Sequence, residues 1–171
     1  MTNAAGRFIP ALSVAVLALV AVLPWGLPPD GRFVLPLLPF IAIHYWASRH
    51  PDRLAEWVPF VAGLAVDVLS NGPLGYWSLI YLVGYMIAVE AHLVTAAGPA
   101  GRWFIFLTSL ALLVAAAWGI ASLYYLELAA WRPFAWAALL AGLAYPVFAL
   151  ILRSLDPDPI RRSNDSLVRG G

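Results

Sequence analysis

A carboxylate inside an apolar run is costly, and so it needs a reason. Asp67 is such a group: it stands in Gly63-Leu64-Ala65-Val66-Asp67-Val68-Leu69, just ahead of the break Asn71-Gly72-Pro73. Two kinds of chemistry fit it. An ionised carboxylate there can hold a proton or a cation, or anchor a polar group of a partner helix. It can equally accept backbone N–H groups that the break at Asn71-Gly72-Pro73 leaves without helical partners, a common use of Asp at a helix end. The turn is only a few residues away, which favours the second use. Glu90 and His92 fall near the end of another apolar run, where a long side chain reaches the headgroup layer. His44 lies beside Tyr45 and Trp46 and is expected as a hydrogen-bonded packing residue.

Other chemistry finds little support. The 3 histidines are scattered, and none has the i, i+4 partner of a helical metal site. The chain contains neither cysteine nor lysine, which excludes disulfides, thiolate ligands and a lysine base. There is no phosphate-cradling glycine loop, no nucleophile elbow and no basic, aromatic-interleaved face for nucleic acid. Asp67 near the outer end of its run and Glu90 near the inner end of the next fall at opposite faces of a bilayer and cannot share a catalytic centre. No enzyme, metal or cofactor is expected.

The elements that carry these residues are set by composition. Of 171 residues 63% are hydrophobic and only 11% charged, less than half the charge of an ordinary soluble domain. A soluble fold could not bury so much apolar surface, whereas in a bilayer it faces outward. A span needs about 20 apolar residues. Six runs qualify or come close, at about 8–26, 33–47, 57–70, 74–95, 103–126 and 131–152. The second, with Pro36 and Pro39, and the third are short. The first resembles a secretion signal in length, but Pro24-Trp25-Gly26 follows it where a cleavage site would stand, so it reads as a retained span. The expectation is an all-α membrane protein: a bundle of six transmembrane helices over 1–153, then a disordered cytoplasmic tail over 154–171 that opens on Asp156-Pro157-Asp158-Pro159.

The arginines set its direction. With both termini inside, the inner segments hold Arg7, Arg49, Arg53, Arg102, Arg153, Arg161, Arg162 and Arg169, and the outer ones only Arg32 and Arg132. Short loops are where this bias decides orientation. Pro51 ends the second helix. Arg49 and Arg53 then form a basic inner loop with Asp52 and Glu56, facing anionic lipid or a cytoplasmic partner. Asn71-Gly72-Pro73-Leu74-Gly75 is a tight turn. Small residues, among them Ala62-Gly63-x-Ala65, Ala115-Ala116-Ala117 with Gly119, and Ala138-x-x-x-Gly142, allow close helix approach.

From Pro51 to Val89 the chain resembles the MreD family of rod shape-determining proteins. The resemblance rests on Pro51 in the inner loop, Gly63-x-x-x-Asp67 near the outer end of a span, and the turn with Leu69, Gly72, Leu74 and Gly75. Tyr81 and Tyr85 follow. Arg132-Pro133, Tyr145-Pro146, Arg153 and Pro24-Trp25 extend it over most of the chain; Ser70-Asn71 stands where that family often has a Ser or Gly pair. The resemblance implies a non-enzymatic scaffold of the bacterial cell-elongation complex in the cytoplasmic (inner) membrane, supporting lateral peptidoglycan synthesis. It implies as partners the bitopic protein MreC, MreB filaments, a SEDS-type glycosyltransferase and a class B penicillin-binding protein. It makes Pro51, Gly63, Asp67, Gly72, Pro73, Leu74, Gly75, Arg132 and Pro133 a structural or partner-contact motif. The implied fold is similar to the substrate-binding subunits of energy-coupling-factor vitamin transporters. That likeness opens an alternative function, a vitamin-binding subunit, whose pocket would use Trp77, Tyr81, Tyr124, Tyr125 and Glu127.

Overall fold

The computed structural model describes residues 4–26, 35–92 and 98–156. Among them are six α-helices, one short 3-10 turn and no strand: α1 (Ala4–Val22), the 3-10 turn Leu35–Leu37, α2 (Leu38–Arg49), α3 (Trp57–Leu69), α4 (Tyr76–Ala91), α5 (Pro99–Tyr125) and α6 (Trp131–Leu155). Each matches one expected run, with shifted ends. Gly98 is extended and Pro99 presets the first helical φ, so α5 begins four residues earlier than expected. α6 continues to Leu155, and Asp156 is ion-paired, so the boundary at 154 cuts through ordered helix. The expected tail from 157 onward, with Arg161, Arg162 and Arg169, and the outer Arg32 lie outside the described residues.

Among the described residues, only α5, with 27 residues, and α6, with 25, are long and apolar enough to cross a membrane by themselves; α3, α4 and the apolar part of α1 are shorter. α2 is different in kind. Its 12 residues span about 18 Å, and ten in succession, Pro39 to Ser48, are buried. It packs against α1, α4 and α6, while α3 lies on α1 and α4, and α5 bridges α4 and α6. The core is correspondingly aromatic. Phe106 of α5 stacks on Tyr145 of α6 at 3.9 Å between centroids and on Phe40 of α2 at 5.8 Å, with His44 edge-on to all three rings. The outward faces carry the opposite signal: Phe8, Leu12, Phe104, Leu112, Leu143 and Leu150, among others, are exposed. Such a surface suits hydrocarbon and not water.

Polar links across the bundle go mainly to backbone carbonyls. Pro146 has no N–H, so the carbonyl four residues back, at Gly142, loses its helical donor. The indole of Trp103 on α5 donates to that carbonyl at 3.0 Å. This gives Tyr145-Pro146 a physical role, the locking of α6 to α5. Leu107 crowds Gly142 on the same face, as the small-residue pattern there led one to expect. Gly119, by contrast, faces open space, so its small size brings no helix closer.

Candidate functional site

The two sequence clusters lie at opposite ends of the bundle, because α3 runs from one to the other. At the end of α3 stands Asp67, 0% exposed. Its Oδ1 accepts the backbone N–H of Trp77 at 2.9 Å. Its Oδ2 accepts the N–H of Gly75 at 2.9 Å, that of Ser78 at 3.4 Å and the Ser78 hydroxyl at 3.2 Å. The first N–H groups of a helix have no partner inside it, and α4 carries no side-chain cap of its own. Asp67 therefore caps α4 from the neighbouring helix, with its charge set against the positive end of the α4 dipole. All four contacts are donors, which is what an ionised carboxylate requires.

This corrects the expected source of the donors. The break Asn71-Gly72-Pro73 gives none to the carboxylate; Gly72 N–H goes to the Asp67 carbonyl at 3.1 Å. The donors come from the following helix, and the turn's task is to bring that helix back. It does so through two left-handed residues, Asn71 at φ 52° and Gly75 at φ 92°, the second a conformation that suits glycine. Pro73 accepts the N–H of Tyr76 at 3.2 Å, and Leu74 is exposed.

Gly63, one turn before Asp67 on the same face, explains the Gly-x-x-x-Asp spacing. A Cβ there would overlap the backbone of Trp77 and Ser78. The missing side chain lets α3 and α4 approach closely enough for Asp67 to reach the amides. Trp77 and Ser78 were not foreseen as its partners. The usable signal was the pairing of a glycine with an acid on one helical face, followed by a serine at the start of the next helix.

The opposite end holds Pro51, Arg49 and Arg53. Arg53 donates to Asp156 Oδ1 at 2.9 Å, and His50 Nε2 lies 3.0 Å from Asp156 Oδ2. Arg49 stacks 4.2 Å over the Tyr45 ring. The basic loop is thus less open than expected. Arg53 is bound to the end of α6, not to Asp52 or Glu56, and Asp156 and His50 join the site from outside the expected set. His92 meets the Ser48 carbonyl at 2.9 Å, tying the end of α4 to α2. His44 meets Ser109 Oγ at 3.2 Å, as a packing histidine should.

Arg132 and Pro133 open α6 at the Asp67 end but do not touch that carboxylate; Arg132 lies in a shallow groove with Trp131 and Trp136. Beside them is an open, mainly apolar cavity of about 300 Å³, walled by Gly72, Pro73, Trp77, Tyr124, Tyr125 and Phe134 among others. Three of the five residues expected of a vitamin pocket line it. Tyr81 and Glu127 do not: Tyr81 is buried and donates to the Pro36 carbonyl. Among the described residues no cluster of His, Cys, Asp and Glu could hold a metal ion.

Compared with known families, residues 3–155 match the model described as rod shape-determining protein MreD. Comparison with curated proteins and with solved structures finds no match. The matched segment includes Gly63, Asp67, the turn, Arg132-Pro133 and Tyr145-Pro146. The chain belongs to the MreD family, membrane proteins that act in rod-shape determination.

Proposed function

We propose that this protein is a non-enzymatic scaffold of the cell-elongation complex in the bacterial cytoplasmic membrane. It acts through lateral helix contacts with the bitopic protein MreC. MreB filaments, a SEDS-type glycosyltransferase and a class B penicillin-binding protein complete the assembly. One observation carries this reading: the family match, over residues 3–155, spans every described helix.

The distribution of polar groups supports it. Asp67 and Asp156 are taken up in holding the fold, while the outward helix faces left for partners carry many exposed apolar side chains. Between α1 and α3 runs a groove of about 390 Å³ floored by small residues, including Ala11, Ala15, Ala62 and Ala65. Small residues are what let a further helix pack closely in a bilayer.

All six helices cross in this reading, with both termini in the cytoplasm. α2 is short for a crossing, but its neighbours shield it from lipid. A 3-10 turn at Leu35–Leu37 is tolerated at membrane depth for the same reason: irregular backbone is allowed where protein surrounds it. Reporter fusions after residues 30, 72 and 129 should report outside, and those after 52, 98 and 160 inside. A cytoplasmic signal at 72 would remove α3 and α4 from the crossing set.

The cavity near Trp77, Tyr124 and Tyr125 supports the second reading, a vitamin-binding transporter subunit of the energy-coupling-factor type. Its apolar walls offer few groups to orient a polar vitamin. Copurification from native membranes separates the two. Recovery of MreC and elongation proteins is expected; recovery of transporter ATPase subunits in their place would overturn the scaffold.

A further inference from the structure

α6 changes character at Pro146, which lies inside it. A proline gives no N–H to the helix, and its ring crowds the carbonyl four residues back, so a helix bends or softens there. The part before it is anchored. From Trp131 to Tyr145 the buried residues are Phe134, Ala137, Ala141, Gly142 and Tyr145. Phe106 stacks on Tyr145 at 3.9 Å, and the Trp103 indole holds the freed Gly142 carbonyl. The part after it is not anchored in this way. From Pro146 to Leu155 only Leu152 is buried, while Val147, Leu150, Ile151 and Leu155 are exposed.

In a bilayer the apolar contacts of that second part hold it weakly. Lipid tails are as apolar as leucine, so a side chain gains little by turning from lipid to protein. The polar hold is at the tip. There Asp156 accepts from Arg53 at 2.9 Å and meets His50 Nε2 at 3.0 Å. His50 and Arg53 belong to the segment that joins α2 to α3, so the tip of α6 is fastened to a part of the bundle that it does not follow in sequence. A soft joint, a lightly packed length of helix and a polar fastening at its end are the parts of a hinged arm.

We propose that Pro146–Leu155 is such an arm, closed while Asp156 engages Arg53 and His50 and free to turn about Pro146 once that carboxylate lets go. The fixed side of the joint is the Trp103–Gly142 contact, which keeps the first part of α6 on α5 in both positions. The fastening is suited to opening, because its partners stand where water can replace them. Opening also uncovers Arg53 and His50, so the motion changes the charge that this end of the bundle presents. The inference concerns a motion inside one chain. It goes beyond scaffolding and depends neither on which proteins the scaffold meets nor on which side of the membrane this end faces.

The test measures distances between spin labels on the purified full-length chain in lipid nanodiscs. The chain has no cysteine, so labels go only where one is introduced. Ser154→Cys with Glu90→Cys, both exposed positions, reports the arm against the near end of α4. Leu139→Cys with Leu79→Cys, also exposed, reports the fixed part of α6 against α4. With the native latch, the arm pair should give one narrow distance distribution. Asp156→Ala should add a second population at longer distance, and Arg53→Gln should act in the same direction. The control pair should not change in either variant. Pro146→Ala, which restores a continuous helix, should remove the second population when combined with Asp156→Ala. A single narrow distribution for the arm pair in Asp156→Ala, or a broad one with the latch intact, would overturn the proposal. So would a second population that persists with Ala at 146, since the motion would then not turn on the proline. A matching change in the control pair would also overturn it, because Asp156 would then hold the whole bundle and not an arm.

Discussion

At one end of the bundle the Asp67 carboxylate is met by three backbone amides and a hydroxyl from residues only 8 to 11 positions away. At the other end the Asp156 carboxylate is met by two side chains more than 100 positions away, His50 and Arg53. The first arrangement is sealed, with donors fixed by the backbone of a helix that must exist anyway. The second joins a loop to the end of the last helix at a partly open surface. A carboxylate satisfied by backbone within a hairpin acts as part of that hairpin, and its removal strands donors that nothing else can reach. A carboxylate satisfied by flexible side chains near the surface can be replaced by water at modest cost.

Substitutions can break that contrast. The largest effect is expected from Asp67→Leu, which leaves three amides and the Ser78 hydroxyl unpaired in an apolar interior. At 1–3 kcal/mol for each stranded group, with partial relaxation, the loss is more than about 3 kcal/mol. The protein should fail to accumulate in membranes, as read by immunoblot. Gly63→Ala comes next. Its new methyl meets backbone and not a movable side-chain tip, so about 2–3 kcal/mol of overpacking is expected, seen as a lower melting temperature in detergent. Asp156→Asn should be mildest, about 0.5–1 kcal/mol, because the partners His50 and Arg53 keep access to water at 27% and 17% exposure. If Asp156→Asn proved as damaging as Asp67→Leu, the two ends would not differ in the way their geometry indicates.

The same contrast governs what could be read from the residues alone. Gly63, Asp67 and the turn are close in sequence, and each limits local geometry: a close approach, a cap, a left-handed backbone. Their joint role was therefore legible, although the donors were placed in the turn and not in α4. The Asp156 pairing was not legible, because nothing in Asp156-Pro157 signals a partner a hundred residues earlier. The central place of α2 was hidden for another reason. Leu, Ile, Phe and Ala serve equally well against lipid and against protein, so hydrophobicity shows that a run avoids water without showing which neighbour covers it.

Asp67→Asn tests most directly whether this carboxylate serves the scaffold by holding the hairpin. The amide keeps the shape of the carboxylate, but its NH₂ faces a donor where an oxygen was, at a cost of about 1–3 kcal/mol. The measurement is restoration of rod shape in cells lacking their own MreD-family protein, with membrane abundance quantified in the same cells. The expected result is a shape defect that follows the loss of abundance and is relieved when expression is raised until wild-type levels are regained. Round cells at full wild-type abundance would contradict it. They would make Asp67 a charged functional group, not the cap that joins α3 to α4.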